Sequence, residues 1–351
     1  MSAAPPPGLV CPIPLADYPE VTMALGGGGR LMHELIDRLF AASFAPAAPG
    51  ARADSAIIGP HEGELAFTTD SYVVQPLEFP GGDIARLAVF GTCNDLAVCG
   101  AEPRHLAVAM VLEEGLPMAT LWRLCQSMAA AAARAGVRVV TGDTKVVERG
   151  RGDGLHITTS GIGVRPPGLR PEAARVRPGD AVLVSGDVGR HGIAVLAARE
   201  DLGLRTDIVS DLAPLWPAVA ALHAAGIEPR WMRDATRGGL ATVLVELAEA
   251  TGLGVRIEEA AIPIAGAVAA ACELFGFDPL YVANEGCMAL VVPPAQASAA
   301  VRVLQALPGH AAAAVIGAVV PPGDAPVIAR GVAGGERVLR MLSGEQLPRI
   351  C

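Results

Sequence analysis

Residues 67–103 read FTTDSYVVQPLEFPGGDIARLAVFGTCNDLAVCGAEP, and this stretch decides the fold. Its beginning continues ELAFTTDSYVV, residues 64–74, where the side chains alternate and are rich in β-branched types, so we predict a strand there. Its second part is rich in small apolar residues and carries Cys93 and Cys99, a setting that favours buried and inert thiols. Each part also contains an aspartate, Asp70 in the first and Asp95 in the second.

Further strands and helices follow along the chain. We predict strands over 104–113, 137–145, 155–164, 180–186, 288–293 and 310–320. Helices are predicted over 31–40, 119–136 and 237–252, from the spacing of their leucines or from alanine content and a closing glycine. Because both halves mix helices and strands in similar numbers, the sequence predicts an α/β (α+β) fold.

The length of 351 residues suits two domains, and composition marks the boundary between them. The segment RPPGLRPEAARVRPGD, residues 165–180, has four prolines and two glycines without an apolar period, which is typical of a linker. We therefore predict an extended lead-in over 1–20, a first domain over 21–165, a linker over 166–180, a second domain over 181–340 and a mobile tail over 341–351.

Composition and charge exclude several classes of protein. The net charge of −9 and the scattered arginines argue against binding to nucleic acid. No stretch of about 18 apolar residues lacks a charge, proline or glycine, so the sequence predicts no membrane span. The beginning of the chain lacks a secretory signal, so we expect a cytoplasmic protein. Seven cysteines form no C-x-x-C pair, so the sequence predicts no zinc site.

Several aspartates lie beside small residues, at predicted strand ends or in turns. They are Asp54, Asp70, Asp95, Asp143 and Asp234. Each one alone fits a turn or a helix cap, whereas together they supply the oxygen ligands that Mg²⁺ takes beside substrate phosphates. The glycine run 26–29 and the turn ATRGGL, residues 235–240, offer backbone N–H groups to phosphate. Neither a Walker loop nor a dinucleotide fingerprint is present.

Two single charges lie next to apolar strands: Lys145 in TGDTK and Glu285 in VANEGC. Composition alone allows a lysine that reaches to solvent and a surface glutamate. The same residue types also suit charge stabilisation and proton transfer in a catalytic site. The residues by themselves leave both interpretations open.

Taken together, the motifs resemble the HypE family of hydrogenase maturation factors. They are the opening stretch, EEGLP (113–117), VTGDTKVV (140–147), RHGIAVL (190–196), RDATRGGLA (233–241) and the terminal PRIC (348–351). That family belongs to a superfamily with aminoimidazole ribonucleotide synthetase and selenophosphate synthetase, and the resemblance runs from about residue 20 to the end. Three positions depart from the family pattern: Arg190 where aspartate is expected, Ala235 where proline is usual, and Cys287 where lysine is common.

The resemblance implies a fold and a reaction. The superfamily fold has two domains, and the first, residues 21–165, binds ATP and pairs with a second copy to form a dimeric β-barrel. The implied reaction begins with a carbamoyl group that a HypF carbamoyltransferase loads onto the terminal cysteine. ATP and Mg²⁺ then support dehydration of this S-carbamoyl group to a thiocyanate, whose cyanide passes to a HypC–HypD complex for the iron of [NiFe]-hydrogenase.

The resemblance also implies roles for individual residues. Cys351 would carry the substrate, Glu285 would take protons from its nitrogen, and Lys145 would steady carbamoyl or phosphate oxygens. Magnesium ligation is carried over to Asp54, Asp70, Asp95 and Asp234. Nucleotide contacts are carried over to Gly26, Gly27, Gly28, Gly29, Asn94, Gly142, Asp143, Thr144, His191, Gly238 and Gly239. His191, next to Gly192, also fits a simple turn residue, and Asp143 also fits a metal ligand.

There are two alternatives: another enzyme of the superfamily, such as a selenophosphate synthetase or a small-molecule kinase, and a non-catalytic scaffold. A selenophosphate synthetase would place a reactive cysteine in a glycine-rich N-terminal region with a lysine nearby, whereas Cys11 lies among prolines without such a lysine. A scaffold that only binds nucleotide and presents its tail would need neither Lys145 nor Glu285. Consumption of ATP separates the scaffold from both enzymes.

Overall fold

A four-stranded and a seven-stranded β-sheet lie on either side of residues 166–180 along the chain. The computed structural model describes residues 18–26, 30–44, 55–199, 206–342, 344 and 350. The strands are β1 (Glu64–Tyr72), β2 (Glu78–Phe79), β3 (Gly82–Asp83), β4 (Glu102–Glu113), β5 (Arg138–Val147), β6 (Leu155–Arg165), β7 (Ala181–Val184), β8 (Trp231–Asp234), β9 (Gly254–Glu258), β10 (Met288–Val292), β11 (Ala314–Val320), β12 (Val327–Arg330) and β13 (Glu336–Leu339).

Helices connect most of these strands. They are α1 (Arg30–Leu35), α2 (Ala42–Phe44), α3 (Ile84–Val98), α4 (Met118–Ala135), α5 (Arg190–Ala197), α6 (Trp216–Ala224), α7 (Gly239–Thr251), α8 (Gly266–Phe275) and α9 (Ala297–Gln305), with a π-helical segment (Ile36–Ala41) between α1 and α2. Gly136 closes α4 in the left-handed conformation, as its position after the alanine run predicts. Within the described part of the chain, no helix combines the length and the apolar character needed to cross a bilayer.

The first sheet has the strand order β1–β6–β4–β5. The alternation of 64–74 is confirmed as β1, in which successive side chains point to opposite faces. Leu65 and Phe67 point outward and are exposed, whereas Thr68, Asp70 and Tyr72 share the other face. That inner face packs against α3, so the period of two along β1 determines which polar groups reach the interior.

Helix α3 was not predicted from the sequence, and its burial explains why. Thirteen of its 15 residues are buried, because it packs on β1 and β6 and also contacts β8 and α6 of the second domain. A helix that is covered on all sides shows no amphipathic period. Its N-cap is Asp83, whose carboxylate accepts a hydrogen bond from the Arg86 N–H at 2.8 Å. Helix α3 therefore contacts both domains, and its polar side chains lie at the boundary between them.

The second sheet has the order β13–β12–β9–β11–β7–β10–β8. Helix α7 belongs to the core on one face, and α6 and α9 belong to the core on the other. Every residue of β7 and β10 is therefore buried, which agrees with their uninterrupted apolar sequences. Helices α5 and α8 instead pack into the core of the first domain.

Candidate active site

A polar cavity of about 310 Å³ opens where the two domains meet. Its walls come from β1, α3, the end of β8, the start of α7 and the loop before β10. The described residues that line it are Thr69, Asp70, Tyr72, Gly91, Asp95, Arg233, Asp234, Thr236, Arg237, Val243, Glu246 and Glu285. Four predicted site residues, three aspartates and Glu285, therefore converge on one place.

The first domain contributes Asp70 and Asp95. Asp70 lies on the inner face of β1, and Asp95 lies in the last turn of α3, where its Oδ2 accepts a hydrogen bond from Thr68 Oγ1 at 3.0 Å. The expectation that Asp95 occupies a strand end or a turn is thus wrong, because the small residues around it belong to a buried helix. A Cβ at Gly91 would lie 2.3 Å from the Tyr72 hydroxyl oxygen, so glycine is needed there for the phenol to reach the cavity.

The second domain contributes Asp234 and Glu285. Asp234 ends β8 and pairs with Met288 of β10, so the loop that carries Glu285 lies beside it. The Asp211 carboxylate accepts hydrogen bonds from the N–H groups of Glu285 at 3.1 Å and Gly286 at 2.8 Å. The side chain of Glu285 is only 3% exposed. Asp211 therefore holds the backbone of this loop, while Glu285 lines the cavity.

Asn94 secures the same loop from the first domain. Its amide nitrogen donates hydrogen bonds to the carbonyl oxygens of Ala213 at 3.0 Å and Glu285 at 3.1 Å, and its Oδ1 accepts one from the Leu215 N–H at 2.8 Å. These contacts engage both donors and the acceptor of a buried amide. Asn94 does not line the cavity, so this arrangement corrects its expected nucleotide contact to a role in holding Glu285.

The cavity carries an excess of negative charge. Five carboxyl groups and two guanidinium groups line it, and Glu246 is paired with Arg233 at 3.4 Å. Burial, together with the neighbouring Asp95, raises the pKa of Asp234 to about 7. Burial, together with Asp234 and other nearby carboxylates, raises the pKa of Glu285 well above its ordinary value. Such mutual repulsion would be relieved by a cation.

The donor chemistry of the cavity fits Mg²⁺. Among the described residues, no three His, Cys, Asp or Glu side chains come together as a ready-made metal cage. Mg²⁺ usually needs only one or two protein carboxylates, since waters and substrate phosphates complete its shell. Asp70 and Asp95, on neighbouring elements of one domain, are the carboxylates suited to this role.

Two glycines shape the start of α7 at the cavity wall. Both lie in the left-handed conformation, with φ of 73° at Gly238 and 60° at Gly239. A Cβ at Gly239 would lie 2.5 Å from the Leu280 carbonyl oxygen, so only glycine lets α7 begin against this loop. The preceding Thr236 and Arg237 line the cavity, so the helix N-terminus is directed to the place where an anion would be stabilised.

A second group of predicted residues lies on β5, away from this cavity. The Lys145 ammonium contacts the Asp143 carboxylate at 3.0 Å, and both side chains are well exposed. Gly142 pairs with Val108 of the neighbouring strand β4, whose carbonyl oxygen a Cβ at 142 would clash with, and Thr144 is buried. Gly26 packs on Val146 of the same strand. One chain therefore does not bring Lys145 to Glu285.

His191 lies in the interior at the start of α5, with no exposed surface. Its Nδ1 is 2.9 Å from Ser210 Oγ, and its Nε2 is 2.7 Å from the carbonyl oxygen of Ile350. Both ring nitrogens are thus engaged by protein atoms, so in this arrangement the imidazole does not serve a phosphate. The expected roles of Gly27, Gly28, Gly29, Asp54 and Cys351 fall outside the described residues.

The three departures from the family pattern do not face the cavity. Arg190 forms a two-point ion pair with Asp187, at 2.9 and 3.0 Å. Cys287 is buried, and burial raises the pKa of its thiol to about 12. Ala235 is also fully buried. None of the three is among the residues that line the cavity.

Sequence reasoning missed several residues of the site. Tyr72, Arg233, Thr236, Arg237 and Glu246 line the cavity, and Asp211 holds the Glu285 loop. Two of them, Thr236 and Arg237, directly precede the glycine pair of the turn ATRGGL, and that position was an available signal. Asp211 gives no such signal, because its partners are backbone N–H groups 74 and 75 residues away.

Two family models match the chain. Residues 52–165 match the AIR synthase related protein N-terminal domain, and residues 177–329 match the C-terminal domain of the same family. Together the two matches cover the first sheet with α3 and almost all of the second sheet.

Comparison with individual proteins identifies the family more specifically. Carbamoyl dehydratase HypE of Rhodobacter capsulatus is 51% identical over 336 residues, which is 95% of this chain and 98% of that protein. A crystal structure of hydrogenase maturation protein HypE in complex with ATP is 44% identical with a TM-score of 0.89, covering 94% of this chain and 99% of that one. A HypE–HypF complex matches with 42% identity and a TM-score of 0.76, over 79% and 90%. The chain therefore belongs to the HypE family of carbamoyl dehydratases.

Proposed function

We propose that this protein uses ATP to dehydrate an S-carbamoyl group on Cys351 to a thiocyanate, which supplies the cyanide ligand for the iron of [NiFe]-hydrogenase. The observation that carries the proposal is the buried Glu285, held by Asp211 and Asn94 at the wall of an acidic cavity between the domains. The identity to carbamoyl dehydratases over nearly the whole chain supports it.

The reaction needs an activated leaving group, since oxide does not leave a carbon atom in water. The carbamoyl oxygen attacks the γ-phosphorus of ATP, so a new O–P bond forms while the bond to ADP breaks. The carbon–oxygen bond then breaks and phosphate leaves with the electron pair. Loss of both N–H protons completes the carbon–nitrogen triple bond, and the oxygen of the lost water ends in phosphate.

Glu285 is the group we assign to proton removal from the carbamoyl nitrogen. Burial and the neighbouring carboxylates raise its pKa, which makes its carboxylate a stronger base than an exposed glutamate. Its backbone is fixed on both sides, by the Asp211 carboxylate at its N–H and by the Asn94 amide at its carbonyl. A base that is already in position needs little reorganisation when the substrate binds.

We assign Mg²⁺ to Asp70 and Asp95, with Asp234 beside them, and the phosphates of ATP to the start of α7. Bound there, magnesium would neutralise charge on the phosphate oxygens. The N-terminus of α7 adds N–H donors and a favourable helix dipole for the same anion. The structure of a 44% identical protein in complex with ATP supports nucleotide binding by this fold.

The proposal includes partners and a compartment. A HypF carbamoyltransferase would supply the carbamoyl group, as the 42% identical HypE–HypF complex suggests, and a HypC–HypD complex would accept the cyanide. We place the protein in the cytoplasm, which agrees with the five free cysteines among the described residues. Selenophosphate synthesis and a purely scaffolding role are not favoured, because the similar proteins of the family are dehydratases.

The test follows the mass of the peptide that contains Cys351. After incubation with a HypF-type carbamoyl donor system, we expect a carbamoyl adduct on Cys351 that loses one water when ATP and Mg²⁺ are added. A non-hydrolysable ATP analogue is the matched control, since it fills the site without giving up its γ-phosphate. An adduct that forms but keeps its water with ATP and Mg²⁺ present would refute the dehydratase function.

We further propose a homodimer formed through the outer face of the first sheet. Phe67 is 70% exposed on β1 and lines an apolar hollow of about 250 Å³ with Ile58 and Ile162, and Leu65 is 63% exposed beside it. An apolar sheet face of this kind is typical of a protein interface. The role proposed for Lys145, to steady carbamoyl or phosphate oxygens, also needs the second subunit. Lys145 is not among the residues that line the cavity of its own chain.

Replacing Phe67 by glutamate should therefore weaken the dimer by at least about 100-fold, because an unpaired charge would be buried in the interface. Light scattering after size exclusion should give twice the chain mass for the wild type and the mass of one chain for F67E. Leu274→Glu on α8 is the matched control, because Leu274 is also 70% exposed but lies on another surface. A wild-type monomer, or an F67E dimer at micromolar concentration, would contradict the proposal.

A further inference from the structure

The end of the described chain is bound in the interior by His191. The carbonyl oxygen of Ile350 lies 2.7 Å from His191 Nε2, and Ile350 itself is only 8% exposed within the core of the first domain. The imidazole has no exposed surface, and the edge of the Phe79 ring contacts it with centroids 5.3 Å apart. A buried polar side chain is thus hydrogen-bonded to the backbone carbonyl of the residue directly before Cys351, within the motif PRIC.

The hydrogen bonds define the tautomer of this histidine. A carbonyl oxygen only accepts, so Nε2 must carry the proton that it donates to Ile350. In a neutral ring Nδ1 is then an acceptor, and the Ser210 hydroxyl donates to it at 2.9 Å. Ser210 Oγ also accepts from the Leu212 N–H at 3.1 Å, which leaves its hydrogen for Nδ1. Burial lowers the pKa of His191 to about 4, so the ring is neutral at physiological pH.

Residues next to Ser210 and His191 hold the Glu285 loop. Asp211, next to Ser210, accepts hydrogen bonds from the N–H groups of Glu285 and Gly286. On the other side, the Gly192 N–H, next to His191, donates to the Ala283 carbonyl at 3.1 Å. His191 and Ser210 are therefore adjacent in sequence to the residues that hold the loop of the catalytic glutamate.

We propose that His191 is the docking residue for Ile350, and that its Nε2–H fixes the carbonyl of this residue, which directly precedes Cys351 in the sequence. The reaction part of this proposal rests on the proposed dehydratase function. Docking through a backbone carbonyl requires no charge on the incoming residue and uses none of its side-chain atoms. His191 acts through the segment it holds, so it is a positioning residue.

The first experiment measures docking without any catalysis. Carboxypeptidase Y cleaves the Ile350–Cys351 bond, whose carbonyl is the one that His191 binds, and intact mass reports the loss of Cys351. His191→Met keeps a long side chain but removes the donor, so trimming should become about 3- to 10-fold faster, the range for one lost hydrogen bond. His191→Gln keeps an N–H donor on a side chain of similar shape, and it should restore most of the protection.

The matched control is His310→Met. His310 is another buried histidine, and its Nδ1 hydrogen-bonds to the Ser185 carbonyl at 2.9 Å, but it does not contact Ile350. This variant should trim at the wild-type rate. If His191→Met fails to fold, Ser210→Ala gives the same information, because it removes the hydroxyl that holds Nδ1. Equal trimming in the wild type and His191→Met, or in His191→Gln and His191→Met, would overturn the docking role.

The second experiment separates docking from function. In single-turnover dehydration of carbamoylated protein, His191→Met should lower the rate by a similar factor while the KM for ATP stays unchanged, and His191→Gln should recover the rate. Faster trimming together with an unchanged dehydration rate would refute positioning for the reaction. If even the wild type dehydrates nothing, the proposed function fails while the trimming result still decides the docking.

Discussion

Replacing Glu285 by glutamine should leave the carbamoyl group on Cys351 and slow its dehydration by about 10²- to 10⁴-fold, the usual contribution of a positioned base. Glutamine has nearly the same shape, but its amide does not accept a proton at neutral pH. The backbone contacts to Asp211 and Asn94 do not involve the replaced carboxylate, so the loop should keep its position. Loss of water from the tail peptide, followed by mass spectrometry, measures the rate.

The same variant should bind ATP at least as well as the wild type. Glu285 is surrounded by Asp234, Asp211, Asp70 and Asp95, and removal of one carboxyl group relieves their mutual repulsion. Glu249→Gln is the matched control, because Glu249 lies exposed on α7 and should leave the rate within about 2-fold. If Glu285→Gln dehydrates the carbamoyl group at the wild-type rate, Glu285 is not the base, whatever the affinity of the variant for ATP.

Much of the acidic cluster could be predicted because it depends on local pattern. The period of two along β1 places Asp70 on the same face as Thr68 and Tyr72, and the sequence shows that period directly. The turn before α7 is similarly visible, since Gly238 and Gly239 adopt conformations that few other residues tolerate. Such features are determined by neighbours in the chain.

The rest depends on tertiary contacts that leave no local pattern. Helix α3 is buried on all sides, so it shows no apolar stripe, and the position of Asp95 within it could not be predicted from the spacing. Asn94 is engaged by backbone groups 119 to 191 residues away. Ser210 and Asp211 hold His191 and the Glu285 loop through hydrogen bonds within the second domain, between residues 19 to 75 positions apart. Long-range hydrogen bonds of this kind require the folded chain.

Replacing Cys351 by serine should abolish formation of the thiocyanate, because few of the thiols in the described part of the chain are accessible to take its place. Burial raises the pKa of the thiols of Cys93 and Cys287 to about 12 and that of Cys272 to about 11, and Cys125 is also buried. A thiol with such a pKa holds almost no thiolate at neutral pH, and thiolate is the nucleophile. Among the described cysteines only Cys99 is exposed, so the expectation that it is buried is wrong, and it is the competitor within that part of the chain.

The variants Cys99→Ser and Cys11→Ser are therefore the controls for Cys351→Ser, and both should keep full activity. Serine at 351 keeps the size of the side chain, but a hydroxyl is a far weaker nucleophile than a thiolate and would not accept the carbamoyl group. Intact-mass analysis with the carbamoyl donor and ATP should show an adduct on Cys99→Ser and Cys11→Ser and none on Cys351→Ser. An adduct that persists in Cys351→Ser and disappears in either control would move the carrier to that cysteine. The docking of Ile350 on His191 would then serve a different purpose, because the residue it presents would not be the one that carries the substrate.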